Sequence, residues 1–477
     1  MNGKKYFLNV IILVLLGWPQ AAHPSTAPKE RETWITVFVH GIMSIKPHVS
    51  LGNIFKFIHD DVENTIYSRT VELMRLDPHF YKNQAMQGFG LIKIDRTEAK
   101  GNGSGATAMV FDEITKVSSD KQLDNHYYTY GWSGLLSTSR RYSDAIGLYK
   151  GLEEEVKKFR RQGIEPKVRV IGYSHGGNVI LNLGAVRQKE SVTQDLSVNE
   201  VILIGMPVQT ETDYLINDPL FKKIYHIFSS GDHVQKLDIF SLNRLLSERK
   251  FKGRKNFKLP KKLVQIHLKV FRPTEKTRNN KNKFEFSRDY DLPSVRSGHS
   301  NLLRDASSGH TELWFFSWTP LNYREYYPLS PLPTIVFAPY IIAALEPYNE
   351  DLRPKRPIIV DLRPEQGSVL LKSSKNPKIN KTIDFIPQKT FEYLQKQVLH
   401  YKPDNYTEQA YNKHISIAKQ QAKDEYGKLW SKEPKDIGRR KRQKKKEKQL
   451  ALLETMQQTL PKIKPELTAQ RKFPEQN

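Results

Sequence analysis

The chain has 477 residues, 38% of them hydrophobic and 10% aromatic, enough for two or three domains, one with a sizeable core. It contains no cysteine, which excludes disulfides, thiol catalysis and thiolate metal sites. The formal net charge is +25, and it is uneven: residues 432–448 carry ten Lys/Arg against three Asp/Glu, and further basic stretches lie at 249–262 and 276–283, which read as surface loops or tails.

The N-terminus reads as a targeting segment. Lys4 and Lys5 precede an apolar run of 12 residues from Phe7 to Trp18, and Pro19-Gln20-Ala21-Ala22 offers small residues for cleavage after Ala22. The run is short for a membrane span and suits a secretory signal over residues 1–22. Export without cysteine points to a bacterial periplasm, envelope or secreted location.

Beyond it, Trp34-Ile35-Thr36-Val37-Phe38-Val39-His40 forms a strand ending in Gly41. Residues 51–75 carry helical periodicity through Ile54, Phe57, Ile58, Val62 and Ile66. Residues 101–107, with three glycines, read as a loop, and residues 127–132 as a second strand. A long helix follows over 141–162, with Ala145, Leu148, Leu152, Val156 and Phe159 on one stripe. Residues 167–171, 201–205, 224–228 and 263–271 are further apolar strands. Continuous apolar strands alternating with helices predict an α/β fold, a mostly parallel sheet covered by helices on both faces. The predicted α/β domain covers 31–345. Prolines recur after residue 346, polar helical patterns run over 390–429, and the expectation is a mostly helical extension over 346–430 with a basic, partly disordered tail over 431–477.

The chemistry centres on Gly172-Tyr173-Ser174-His175-Gly176, a GxSxG between the strand 167–171 and an apolar run, 177–183, that can start a helix. A serine on a tight strand-to-helix turn is pushed out of the sheet into solvent, and a Cβ on either flanking glycine would collide as strand and helix close in. The reacting atom is then the Ser174 hydroxyl. At the end of the first strand stands His40-Gly41-Ile42. The backbone N–H groups of Ile42 and His175 are placed to hold a developing oxyanion, at roughly 3 kcal/mol of barrier per donor. His40 reads as a buried histidine supporting its loop.

An acid follows the strand 224–228: Asp232 is preferred, with Asp238 the runner-up. A carboxylate there can hold an imidazole in one tautomer. The histidine belongs on the loop after the last strand, where His299 and His310 both fit. His310 is preferred because an apolar run, Leu313 to Phe316, follows it at once; the loop is stretched by a polar insert at 273–283. No HExxH and no Walker-type loop occurs, and neither a metal nor an organic cofactor is expected.

The chain order Ser174, Asp232, His310, the His-Gly turn and the GxSxG elbow resemble the α/β-hydrolase superfamily in its lipase and esterase branch, over about residues 31–320. The resemblance implies a serine nucleophile, His310 as base and then acid, Asp232 as orienter, an acyl-enzyme, and an ester or lipid substrate. The basic inserts after Asp232 and the tail past 345 depart from it. The aromatic segment 314–345 is expected either to line an acyl pocket or to pack as core. A different reading is a hydrolase-like module, weak or inactive in catalysis, that docks on an anionic membrane or envelope surface through residues 432–448. The leader directs the chain away from the cytoplasm, which disfavours nucleic acid as a partner.

Overall fold

Strands rich in Val, Ile, Phe and Tyr set the architecture. The computed structural model describes residues 31–43, 62, 65–190, 192, 195–232, 247–270, 307–324, 326–374 and 376–432. Residues 1–22, Asp238, the insert 273–283, His299 and residues 433–477 lie outside the described residues.

In chain order the elements are β1 (Arg31–Val39), α1 (Ile66–Leu76), β2 (Gly90–Lys93), α2 (Gly103–Val117), β3 (Gln122–Gly131), α3 (Thr138–Arg161), β4 (Lys167–Tyr173) and α4 (His175–Lys189). Then come β5 (Val198–Ile204), β6 (Phe221–Ser229), β7 (Leu263–Val270), α5 (Ala338–Leu345), β8 (Ile358–Arg363), β9 (Ser368–Lys372), β10 (Lys381–Asp384), α6 (Gln388–Val398) and α7 (Glu408–Lys432). One ten-stranded sheet has the order β10-β9-β8-β7-β6-β5-β4-β1-β3-β2. From β8 across to β3 the pairs are parallel, and β2, β9 and β10 add antiparallel edges. The fold is therefore α/β with a mostly parallel sheet.

Helices cover both faces, as continuous apolar strands require. On one face Phe38, Ile171, Ile204, Ile227 and Ile266 pack with Phe111 of α2 and with the segment from Leu313 to Leu345. On the other, Val37, Val170, Val201 and Leu203 pack with Leu148 and Leu152 of α3 and with Ile180 and Leu183 of α4. A third cluster joins Val71 and Met74 of α1 to Tyr411 and Ala418 of α7. The strand order reverses at β1, which lies between β3 and β4. A crevice at the carboxyl ends of β1 and β4 is where such sheets hold ligands.

Three expectations change. Residues 103–107 are the first turns of α2 rather than loop. The Asn102 side chain caps Gly105 N, and a Cβ on Gly103 would lie 2.7 Å from backbone atoms of Gln84, so these glycines serve close approach. The edge strand β2, Gly90–Lys93, was not expected; it is only four residues long, three half-buried and one exposed. Within the segment expected to be mostly helical, 346–430, residues 358–384 contribute three strands that extend the same sheet. Their charges hid them: Asp361 and Arg363 sit buried in β8, tolerated because they pair with each other at 3.1 Å. Helices α6 and α7 follow within that segment.

Candidate active site

Ser174 occupies the single residue between β4 and α4, with φ 50° and ψ −132°, a backbone region that a residue with a side chain rarely enters. Such a conformation costs on the order of 1–3 kcal/mol and survives only where surroundings enforce it. Here they do. Ser174 N donates to Ile204 O of β5 at 3.0 Å, and Gly177 N donates to Ser174 O at 3.0 Å. A Cβ on Gly172 would lie 2.5 Å from Ile180 Cδ1, and one on Gly176 would lie 2.3 Å from His40 O. The glycine spacing is thus a steric necessity of the turn. The expected exposure is not met: Ser174 is only 2% exposed. Its turn lies at the sheet edge but under cover, with Gly41 packed so closely that a Cβ there would sit 3.0 Å from Ser174 Cβ.

Asp232 and His310 are brought together. Asp232 lies just past β6, fully buried, and its Oδ2 meets His310 Nδ1 at 2.8 Å. The missing Cβ of Gly231 lets Ser307 O and Ser308 O approach; a Cβ there would lie 2.6 and 2.8 Å from them. That approach presses the acid's loop onto the histidine's loop. With Nδ1 turned to the carboxylate, a neutral imidazole keeps its proton on Nδ1 and its lone pair on Nε2.

The pair stands over the end of β5, beside the serine's strand. Gly205 follows β5 with φ 59°, and a Cβ on it would lie 3.1 Å from Asp232 Oδ2 and 3.5 Å from His310 Nδ1. Tyr173, the neighbour of Ser174, donates its hydroxyl to His310 O at 3.0 Å, and the two rings lie 4.8 Å apart. Burial, with the Asp232 carboxylate nearby, pushes the Tyr173 hydroxyl well above its usual range and keeps it a donor.

The segment after His310 fixes its position. Trp314 stacks on Tyr173 with centroids 5.1 Å apart and planes at 8°. Leu313, Trp314, Phe315, Phe316, Trp318 and Phe337 belong to the core, so this part of the aromatic segment packs rather than lines an open pocket. The Glu312 carboxylate is buried; it accepts from Gly309 N at 2.5 Å and from Arg324 Nε and Nη2 at 2.6 and 2.8 Å. Arg324 Nη2 also donates to Ser307 O at 2.6 Å. This clamp, and Arg249, whose Nη2 donates to Asp232 O at 2.7 Å, had no signal in the sequence, because each pairs residues far apart in register or chain. Gly205 did carry one, as a glycine ending an apolar strand.

Ile42 follows Gly41 in the loop against Ser174, and His175 opens α4, where first-turn N–H groups have no intrahelical acceptor. The His175 ring turns away: Arg141 Nη1 donates to its Nδ1 at 3.1 Å, and Arg141 also reaches Gln209 Oε1 at 3.2 Å. His40 is buried, donates from Nδ1 to Gly41 O at 2.6 Å and accepts from Trp132 N at 3.3 Å. Burial, with Arg75 nearby, holds it neutral, well below the usual imidazole range. Its geometry is that of a support for the Gly41-Ile42 turn. Among the described residues no group of three or more His, Asp or Glu is placed to hold a metal ion, and no helix is long and apolar enough to cross a membrane.

No protein-family model and no curated protein matches the chain. Among solved structures it is similar to one described as the Tle1 effector bound to the VgrG spike from the Type 6 secretion system, at 8% identity, with 43% of this chain and 46% of that one covered and a TM-score of 0.19. The chain thus spans under half the length of that structure's chain, and a likeness this slight carries no argument about function.

Proposed function

We propose that the chain is an exported serine hydrolase of the α/β-hydrolase type, cleaving carboxylic esters of lipids or other acyl groups. The observation that carries this reading is the 2.8 Å pairing of Asp232 with His310 above Gly205, at the strand ends beside the strained Ser174 turn. In the proposed reaction Ser174 Oγ attacks the ester carbonyl carbon while its proton passes to His310 Nε2. Asp232 holds Nδ1 and stabilises the imidazolium that forms. The N–H groups of Ile42 and His175 donate to the tetrahedral oxyanion. His310 then protonates the departing alkoxide, leaving an acyl-Ser174 ester. Water, deprotonated by the same imidazole, releases the acid and restores the serine. Ser174 is only 2% exposed, so its turn is buried against the residues around it.

That burial also favours the second reading, a module of weak or no catalysis that binds anionic surfaces through residues 432–448. A fluorophosphonate probe separates the two. Labelling of the native protein that Ser174→Ala abolishes supports the hydrolase, and p-nitrophenyl esters of graded chain length then report the acyl preference. A native protein that resists the probe leaves the binding reading. Export rests on the leader at 1–22, and N-terminal sequencing of secreted material should begin at His23.

A further inference from the structure

The basic stretch 249–262 is not a loose loop. Phe251 and Phe257 are plugged into the core, and Gln265 of β7 accepts from Phe251 N at 2.8 Å and donates to Phe251 O at 3.1 Å. Arg254 and Phe257 exchange both backbone hydrogen bonds at 2.9 Å, closing a tight turn with Lys255 and Asn256 at its tip. Cations are therefore held outward on a rigid frame. Neighbouring strands add more at the same edge. Lys262 O accepts from Ile224 N at 2.9 Å, which sets Lys261 and Lys262 beside Lys222 at the start of β6. Gln265 donates to Pro354 O at 2.6 Å, and Lys355 Cε is 4.0 Å from where a Gly253 Cβ would lie. Lys222, Lys255, Lys258, Lys261, Lys355 and Arg356 are all exposed and make no ion pair among the described residues.

We propose that this edge, formed by the amino ends of β6, β7 and β8 and the turn at 254–257, is a docking surface for an acidic protein partner. It lies at the opposite edge of the sheet from Ser174, one strand length away: nine-residue β6 spans roughly 30 Å. A bilayer held flat on it would keep lipid that far from the serine, and no large apolar side chain in 247–262 is exposed for insertion. Here Arg254 is bound to the buried carboxylate of Asp213, and Tyr214 is exposed beside it. An exposed tyrosine suits a protein interface, and unpaired cations around it are complementary to an acidic partner.

The test uses the full chain and fluorescein-labelled poly-L-glutamate as probe, read by anisotropy at two salt concentrations, with phosphatidylglycerol vesicles and duplex DNA as competitors. Lys255→Glu, Lys258→Glu, Lys261→Glu and Lys355→Glu together should weaken probe binding about tenfold or more. Reversing Lys150, Lys157, Lys158 and Arg161 on α3, an equal change in net charge, should alter it by less than about twofold. All eight side chains are exposed, and reactivity of Ser174 toward fluorophosphonate should match wild type in both variants. Equal losses from the two quadruple variants, or no binding by wild type, overturn the proposal. So does an edge reversal that weakens vesicle or duplex binding and spares poly-L-glutamate.

Discussion

The two edges of the sheet handle charge in opposite ways. Among the described residues at the carboxyl edge, buried ionisable groups are individually partnered: Asp232 with His310, Glu312 with Arg324, Arg141 with His175. At the amino edge of β6 to β8 ionisable groups are many, exposed and largely unpaired. A buried charge without its partner costs several kcal/mol, whereas an exposed one contributes little to stability. The first edge is therefore built to hold a few atoms in one arrangement, and the second to present a field without affecting the fold.

The largest effects should follow substitutions that break partnerships at the carboxyl edge. Asp232→Asn keeps the shape but offers His310 Nδ1 a group that can donate, favouring the wrong tautomer. Steady-state ester hydrolysis should fall about 10⁴-fold in kcat with the fold retained. An Asp232→Asn variant at wild-type rate would remove Asp232 from the proposed chemistry. Next is Arg324→Ala, which strands the buried Glu312 carboxylate and frees the loop at Ser307 and Gly309. Urea denaturation should show a loss of about 3 kcal/mol. A loss below about 0.5 kcal/mol would mean that the clamp is no tighter than a surface pair.

These residues also mark how far sequence reasoning reached. The turn at Ser174 was legible because its glycines are fixed by collisions with β1 and α4, and such constraints leave a local pattern. The central strands were legible because both faces are buried, leaving unbroken Val/Ile runs. His310 could be preferred over His299 only through the apolar run behind it, which does pack on Tyr173. Strands β8 to β10 escaped notice, since Asp361 and Arg363 interrupt the first and most of the last is exposed. The burial of Ser174 was not legible either: Gly41, remote in sequence, packs against its Cβ.

Between the edges lies His226, midway along β6, stacked on Phe228 and edge-on to Phe251. Burial pushes its imidazole down to about 4 from a usual 6.5. Above pH 6.5 both folded and unfolded chains leave it neutral, so it contributes nothing. As pH falls from 6.5 toward 4 the unfolded chain takes up a proton that the fold refuses, and stability declines. The loss between pH 7 and 5 is about 2 kcal/mol. His226→Phe should flatten that part of the urea-midpoint profile. Glu32 acts in a lower window. Burial raises its carboxyl, but hydrogen bonds from Lys121 and Lys167 outweigh this and bring it down to about 2. Its stabilising contribution is present above pH 4.5 and is lost as pH falls through 2. An unchanged profile in His226→Phe would show that the centre of the sheet admits protons as readily as its exposed edge.

The smallest effect is expected at Gly253, and it is sharpest in contrast with Gly176. A Cβ on Gly176 would press on His40 O at 2.3 Å, whereas one on Gly253, at the amino edge, meets nothing nearer than Phe257 O at 3.5 Å. Gly176→Ala must shift backbone on both sides of the serine turn and should cost about 3 kcal/mol in urea denaturation. Gly253→Ala should stay within about 0.5 kcal/mol of wild type. Its neighbour Lys258→Glu should do the same, since Lys258 is exposed and makes no ion pair among the described residues. If either substitution at the amino edge cost as much as Gly176→Ala, that edge would be structural, and its cations would be held there by the fold's own needs rather than left available to a partner.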